Sequence, residues 1–201
     1  MKLAFKMTSI KLIVMTSLFL LLFGNLTFFQ NVIKVYPINL YNSVFLISLI
    51  ILFTCVNVIL FSLVCFNRTL KPILIIVLLI SSLAAYFMDT YNVVINDLMI
   101  DNIIKTDTNE TLDLLSFKQL LYFLFLGVFP SFLIYKSKVI QTSFKQSVLS
   151  NLILFVGAFL LSAAVILSLS NFYAPFFREH KPLRFYANPS YYIYSSIKYV
   201  N

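Results

Sequence analysis

The sequence predicts an all-α membrane protein with five transmembrane helices and additional helices at the membrane surface. Three observations predict this fold class. Of the 201 residues, 61% are hydrophobic and only 11% are charged, whereas a soluble domain carries about 25% charged residues. The mean hydropathy is +0.95, and long charge-free stretches recur along the chain. This composition excludes a soluble enzyme, a nucleic-acid-binding module and a disordered tail.

The charge-free stretches mark the membrane spans. Each is long enough to cross a hydrocarbon core of about 30 Å, which needs ~17–25 helical residues. We expect helices near residues 12–29, 43–65, 71–88, 119–135 and 147–170. Small residues four positions apart predict helix–helix contacts, namely Ser81 with Ala85 and Ala158 with Ser162. No small-residue cleavage site follows the first span, so we expect an uncleaved signal anchor.

The basic residues predict the orientation of the spans. The net charge is +8, from 15 Lys and Arg against 7 Asp and Glu. Eight basic residues lie in the N-terminal segment and in the loops 66–71 and 136–146, whereas the opposite loops carry three and the tail adds four. Because basic residues near the first helices usually dominate, we expect the N-terminus inside and the C-terminus outside.

The acidic residues concentrate in one segment, since six of the seven lie within residues 89–118. Asn96 is expected to cap a helix whose first turn contains Asp97. An apolar flank along this helix is typical of a helix that lies at the membrane surface. Asp101 and Lys105 are four positions apart with the acid first, which is the favourable order for an ion pair.

Within this segment, Asn102, Thr106 and Glu110 follow one another at intervals of four. On a helix they form a polar stripe about 80° wide. The stripe suits a zwitterionic lipid headgroup, because Glu110 can hold an ammonium group while the other two donate to phosphate oxygens. The ordinary alternative is a solvated polar face. A capping box between Asp107 and Glu110 would start a new helix there and bend the stripe.

Residues 171–201 are rich in aromatic side chains, and three prolines prevent one continuous helix, so we expect an interfacial connector. His180 is expected to be an ordinary loop residue. Cys55 and Cys65 would lie ~15 Å apart on one helix, too far for a disulfide, so we expect them to be apolar fillers. One histidine and two intramembrane cysteines cannot form a zinc site. No serine or threonine has a base to activate it, so the sequence shows no catalytic centre.

Several stretches resemble the lipid A phosphoethanolamine transferases, the family that includes the mobile colistin resistance enzymes. They lie, in the family's order, at Gly24–Phe29, Leu70–Ile73, Tyr86–Tyr91, Met99–Asp107, Phe177–Arg184 and Asn188-Pro189. The resemblance extends over nearly the whole chain and covers the family's N-terminal membrane domain of five helices. One departure is Asn92, where the family commonly has glycine.

The resemblance implies a multi-pass protein of the Gram-negative inner membrane with a cytoplasmic N-terminus and a periplasmic C-terminus. Such enzymes transfer phosphoethanolamine from phosphatidylethanolamine to lipid A through a phosphothreonine, which weakens the binding of polymyxins such as colistin. Their zinc ions and nucleophilic threonine belong to a periplasmic domain that follows the membrane domain. We therefore expect residues 1–170 to form the membrane domain and 171–201 a periplasmic connector, with no metal or cofactor bound by this segment.

The family's lipid site contains an asparagine, a threonine and a glutamate spaced four and four, which carry over onto Asn102, Thr106 and Glu110. The resemblance assigns no role to Asp89 or His180. Two alternatives remain: a non-enzymatic multi-pass protein, such as a small transporter or an assembly subunit, and a free-standing membrane-domain paralogue. A transporter should carry ionisable residues at mid-span, whereas every acid here lies at or beyond a predicted helix end.

Overall fold

The computed structural model describes residues 6–105, 116–140 and 142–200, and most of them are helical. Except at its ends, a helix satisfies its backbone polar groups within one segment, as lipid requires. The elements in chain order are β1 (Lys6–Met7), α1 (Ser9–Phe23), α2 (Leu26–Val35), α3 (Leu40–Val64), α4 (Leu70–Tyr91), α5 (Asp97–Lys105), α6 (Phe117–Lys136), β2 (Lys138–Val139), α7 (Phe144–Ser168), α8 (Ser170–Arg178), a 3₁₀ turn (Lys181–Tyr186) and α9 (Ser190–Val200).

Four helices, α3, α4, α6 and α7, are long and apolar enough to cross a membrane, and α1 with α2 forms a fifth candidate. The four long helices begin and end within three residues of the ranges expected from the sequence. The first span differs, because the continuous helix expected near 12–29 is broken and its two halves are bent by 60°. The break lies at Gly24 and Asn25, where the Gly24 amide makes the last bond of α1, to the Leu20 carbonyl.

Side-chain caps fix the start of several helices. Thr8, Asn39 and Ser116 accept hydrogen bonds from backbone amides at the starts of α1, α3 and α6. Ser143 and Gln146 form a reciprocal capping box at the start of α7. These caps satisfy amides that the first turn of a helix leaves without a partner.

The core of the bundle lies around α3 and α4. In the most apolar window of each of these helices 44% of residues are buried, against 17% for α6 and 11% for α7, so α6 and α7 present most of their surface outward. Cys55 and Cys65 are buried, unpaired members of this core, which confirms them as apolar fillers. Of the small pairs predicted at helix contacts, Ser81 with Ala85 and Ala158 with Ser162, all four residues are buried.

Gly127 in α6 allows a close approach to α4. A Cβ atom at this position would lie 2.6 Å from the hydroxyl oxygen of Ser82. The surrounding residues, Phe123–Val128, form a π-helical segment within α6. The glycine therefore sets the distance between these two helices.

The bundle has two distinct ends. At the basic end, β1 pairs in parallel with β2, with Lys6 opposite Lys138, and the Asn67 side chain donates to the Thr142 carbonyl. These contacts bring together the N-terminal segment and the loops that follow α3 and α6. The 22 residues of α4 then extend about 33 Å away. The α5 end, with α5, α9 and the α1–α2 break, lies at the other terminus of α4.

Candidate functional site

The helix that carries the predicted stripe begins as the sequence indicates. The Asn96 side chain accepts a hydrogen bond from the Met99 amide at 2.9 Å, and Asp97 lies in the first turn of α5. Lys105 pairs with Asp101 at 2.6 Å. The predicted cap and the predicted ion pair are therefore both confirmed.

One apolar side of α5 packs on the bundle and another is exposed. Met99 and Ile100 pack against a cluster of Ala84, Met88, Ile95 and Tyr192. The more exposed apolar side chains of α5 are Leu98, Ile103 and Ile104, at 70%, 52% and 63% exposure. A short helix with exposed apolar residues at the end of membrane-spanning helices is typical of an interfacial helix.

The structure locates one member of the predicted stripe. Asn102 lies in the last turn of α5 and its side chain is exposed. Thr106 and Glu110 lie outside the described residues, and so does Asp107, the start of the alternative capping box. The stripe of Asn102, Thr106 and Glu110 therefore stays a prediction.

Two asparagines that the sequence did not single out join the first span to the start of α9. The Asn25 side chain donates to the Asn188 carbonyl at 2.7 Å and accepts from the Asn188 amide at 2.8 Å. The Asn188 side chain donates to the carbonyls of Gly24 and Ser81 at 3.0 and 2.9 Å. Both side chains are 3% exposed. We call Asn25, Asn188 and these two carbonyl partners the polar junction.

Asp89 of α4 joins two further elements, α2 and α6. Its Oδ1 accepts from the Thr27 amide at 3.0 Å and from the Thr27 hydroxyl at 2.6 Å, and its Oδ2 accepts from the Tyr122 hydroxyl at 3.2 Å. The carboxylate thus lies at the N-terminus of α2, where negative charge is favourable. Asp89, for which sequence reasoning found no role, holds α2, α4 and α6 together.

The stretches that carried the family resemblance meet at this end. Gly24–Phe29 supplies Asn25 and Thr27, Tyr86–Tyr91 supplies Asp89, and Asn188-Pro189 supplies the second asparagine. Since these stretches lie up to 164 residues apart, spacing along the chain carries no signal of their contact. Only their joint occurrence in the family pattern indicates from the sequence that these stretches are related.

Asn92 ends α4 in the left-handed conformation, with φ 51° and ψ 34°. Glycine and asparagine are the two residues that adopt this conformation most readily at a helix C-terminus. Asn92 is therefore compatible with the same turn as the glycine that the family commonly has at this position. Tyr186 fixes the turn further by donating to the Asn92 carbonyl at 3.1 Å.

Helix α9 contacts α5 through consecutive residues. Lys198 donates to Asp97 at 2.7 Å, and Tyr199 donates to Asp101 at 3.0 Å. The hydrogen bond from Lys198 lowers the pKa of Asp97. The hydrogen bonds from Lys105 and then from Tyr199 lower the pKa of Asp101. We call these two hydrogen bonds and the apolar residues beneath them the α5–α9 contact.

The described residues offer no zinc site, because no three His, Cys, Asp or Glu side chains among them lie close enough to share a metal ion. His180 lies edge-on to the ring of Tyr36, with 5.7 Å between ring centroids. We therefore derive no chemical step through a metal from this part of the chain.

The fold and the site define a helical, multi-pass membrane domain with short helices at one end and a buried polar junction between α1, α4 and the start of α9. It is similar to the solved structure of the integral membrane protein lipooligosaccharide phosphoethanolamine transferase A (EptA) from Neisseria meningitidis. The TM-score is 0.90 at 25% identity, covering 96% of this chain and 36% of that chain.

Sequence relatives give the family. The chain is 36% identical over 184 residues to phosphatidylethanolamine transferase Mcr-1 of Escherichia coli, covering 92% of this chain and 34% of the relative. It is 35% identical over 148 residues to phosphoethanolamine transferase EptA of Helicobacter pylori, covering 73% and 28%. The family model for phosphoethanolamine transferase EptA/EptB matches residues 53–201. The chain belongs to this family, which confirms the resemblance, and it spans about a third of the length of these relatives.

Proposed function

We propose that this chain is the membrane domain of a phosphoethanolamine transferase of the Gram-negative inner membrane. The complete protein would move phosphoethanolamine from phosphatidylethanolamine to lipid A and so confer resistance to polymyxins such as colistin. Family membership supports this proposal, as does the similarity of the fold to EptA. As the family resemblance implies, zinc and the nucleophile would lie in a periplasmic catalytic domain; the chain spans about a third of the length of its relatives.

The proposed topology has five spans, with α1 and α2 together forming the first. Contacts at the basic end support a common side for the three basic segments, since Lys6 pairs with Lys138 and Asn67 donates to Thr142. Positive charge concentrates in cytoplasmic loops. The N-terminus would then be cytoplasmic, and α5 and α9 would lie on the periplasmic side.

The single observation that carries the proposed lipid site is the location of α5. This helix bears Asn102 at the end of the bundle opposite the basic loops and exposes apolar residues beside the spans. A headgroup at the outer membrane–water boundary would meet the stripe there, with Glu110 pairing with its ammonium group. Asn102 and Thr106 would donate to its phosphate oxygens.

The location of the acids weighs against the transporter alternative. The acids among the described residues are Asp89, Asp97, Asp101 and Glu179. Asp89 lies in the last turn of α4 and the other three lie beyond the long apolar helices. A transporter would need ionisable groups at mid-span. The acids whose positions are described fit an enzyme's membrane domain better.

The test is Glu110→Ala in the complete protein. We expect transfer of phosphoethanolamine to lipid A to fall about 10- to 100-fold, since an ammonium group loses a charged hydrogen-bond partner. Mass spectrometry of lipid A and the inhibitory concentration of polymyxin measure the effect at equal expression. The matched control is Glu179→Ala, which removes an exposed carboxylate that pairs with its neighbour Arg178. Unchanged transfer and resistance in Glu110→Ala would refute the proposed role.

A further inference from the structure

Helix α9 is held firmly at its start. Its N-terminal end follows Asn188, which belongs to the polar junction. One turn further, the Tyr192 hydroxyl lies 3.2 Å from the Ser81 hydroxyl, and the Tyr192 ring packs against Ala84 and Met88. Burial raises the pKa of Tyr192 to about 12, so the residue stays neutral. Helix α9 is therefore fixed to α4 at its start.

Helix α5 is held both by apolar packing and by hydrogen bonds. Its apolar underside, Met99 and Ile100, packs against α4 and α9, and such contacts are non-directional. They tolerate a roll of α5 about its axis. Two directional contacts between described residues join α5 to α9, namely the hydrogen bonds to Asp97 from Lys198 and to Asp101 from Tyr199.

The residues of α5 that bond to α9 lie next to Asn102, the described member of the stripe. Asp97 and Asp101 are four residues apart, so they lie one above the other on one side of α5. Two bonds one turn apart fix both the rotation of the helix and its displacement along its axis. Asn102 follows Asp101 directly, about 100° further round the helix. The hydrogen bonds from α9 therefore bear directly on the direction in which the Asn102 side of α5 faces.

We propose that Lys198 and Tyr199 are positioning residues for the donor-lipid site. They act through Asp97 and Asp101 and hold α5 in the rotation that presents Asn102 to the lipid headgroup. This inference rests on the proposed function of the stripe. When α5 rolls, fewer molecules have a binding-competent site, which weakens the apparent affinity for phosphatidylethanolamine without altering the reaction of bound lipid.

The test uses the complete protein in lipid nanodiscs that contain phosphatidylethanolamine. The variants are Lys198→Met, which keeps the stem and removes the charge, Tyr199→Phe, which removes the hydroxyl, and their combination. We expect the KM for phosphatidylethanolamine to rise about 2- to 5-fold in each single variant, as for loss of an exposed ion pair, with kcat unchanged. Amide hydrogen exchange over residues 97–105 should rise in parallel, since α5 opens more often.

Two controls separate positioning from a general loss of charge or of structure. Lys198→Arg retains a donor for Asp97 and should restore both KM and exchange. Arg178→Met removes a charge near the end of the bundle that pairs with the adjacent Glu179, and it should match the unmodified protein. A kcat loss with unchanged KM would also count against positioning.

The result that overturns the proposal is an unchanged KM or an unchanged exchange over 97–105 in the combined variant. Glu110→Ala, measured beside it, separates the two possible failures. If Glu110→Ala abolishes transfer while the combined variant behaves normally, the lipid site stands and the positioning role fails. If Glu110→Ala is fully active, the proposed function fails and the positioning role fails with it.

Discussion

The polar junction and the α5–α9 contact both hold α9 but differ in burial. Asn25 and Asn188 are each 3% exposed and bond to backbone atoms far along the chain. The side chains of Lys198 and Asp97 are 57% and 38% exposed. Buried polar groups are costly unless they are paired, whereas exposed ion pairs contribute ~0–1 kcal/mol. The polar junction is therefore a rigid, buried connection, whereas the α5–α9 contact is weaker and more exposed to solvent.

The largest expected effect is that of Asn188→Ala on stability. The substitution leaves the Gly24 and Ser81 carbonyls without their side-chain donor in a buried site. We expect a loss of about 2–4 kcal/mol in the free energy of unfolding, at about 1–2 kcal/mol for each lost bond. Unfolding in detergent, followed by circular dichroism, measures this loss.

Asn42→Ala is the matched control for Asn188→Ala. The Asn42 side chain is half-buried and makes a solvent-exposed hydrogen bond to one carbonyl, that of Pro37, at 2.8 Å. We expect a change within about 0.5 kcal/mol, as for most surface substitutions. Equal losses for the two asparagines would contradict the distinction between a buried frame and an exposed surface.

An intermediate effect is expected for Asp89→Ala. The variant removes the acceptor for the Thr27 amide and hydroxyl at the start of α2 and should cost about 1–2 kcal/mol, as for loss of a helix cap. Thr27→Val removes the hydroxyl bond alone and should cost less. Because the two residues share a bond, the double variant should cost less than the sum of the singles. Strict additivity in the same unfolding assay would show that the two do not interact.

Sequence reasoning succeeded where the signal is local. Asn96 as a cap and Asp101 with Lys105 are relations within four residues, and both are confirmed. The four long helices follow from charge-free length, which is a property of one segment. Such features need no knowledge of what lies beside the segment in the fold.

The same reasoning missed features whose partners are distant. Gly24 and Asn25 lie within an apolar stretch, so hydropathy gives no sign that the helix breaks there. At the break, the Asn25 side chain bonds to Asn188, 163 residues away. Asp89 belongs by composition to an acidic surface segment, yet it binds Thr27 of α2. Polar residues of this kind are recognised only when the packing of the helices is known.

The smallest expected effect is that of pH on the α5–α9 contact. The pKa of Asp97 is lowered from its ordinary 3.8 by the hydrogen bond from Lys198. A lowered pKa means that the contribution to stability is complete above the ordinary value and is lost as pH falls through the lowered one. The pKa of Tyr199 is raised from 10.0 by its hydrogen bond to Asp101. That contribution is complete below the ordinary value and is lost as pH rises through the raised one. The contact should therefore hold at constant strength between about pH 5 and pH 9.

Distances between spin labels on α5 and α9 measure the pH dependence of their contact directly. Leu98 of α5 and Tyr194 of α9 are both well exposed and accept a nitroxide after substitution by cysteine, whereas the native Cys55 and Cys65 are buried. We expect one unchanged distance distribution from about pH 5 to 9 and a broader one when the pH falls through the lowered pKa of Asp97. The polar junction contains no titratable group, so a label pair on α1 and the start of α9, which it joins, should keep its distribution over the same acid range. Broadening of the α5–α9 distances between pH 5 and 8 would contradict the assignment of this contact to Asp97 and Asp101, because neither carboxylate titrates in that range.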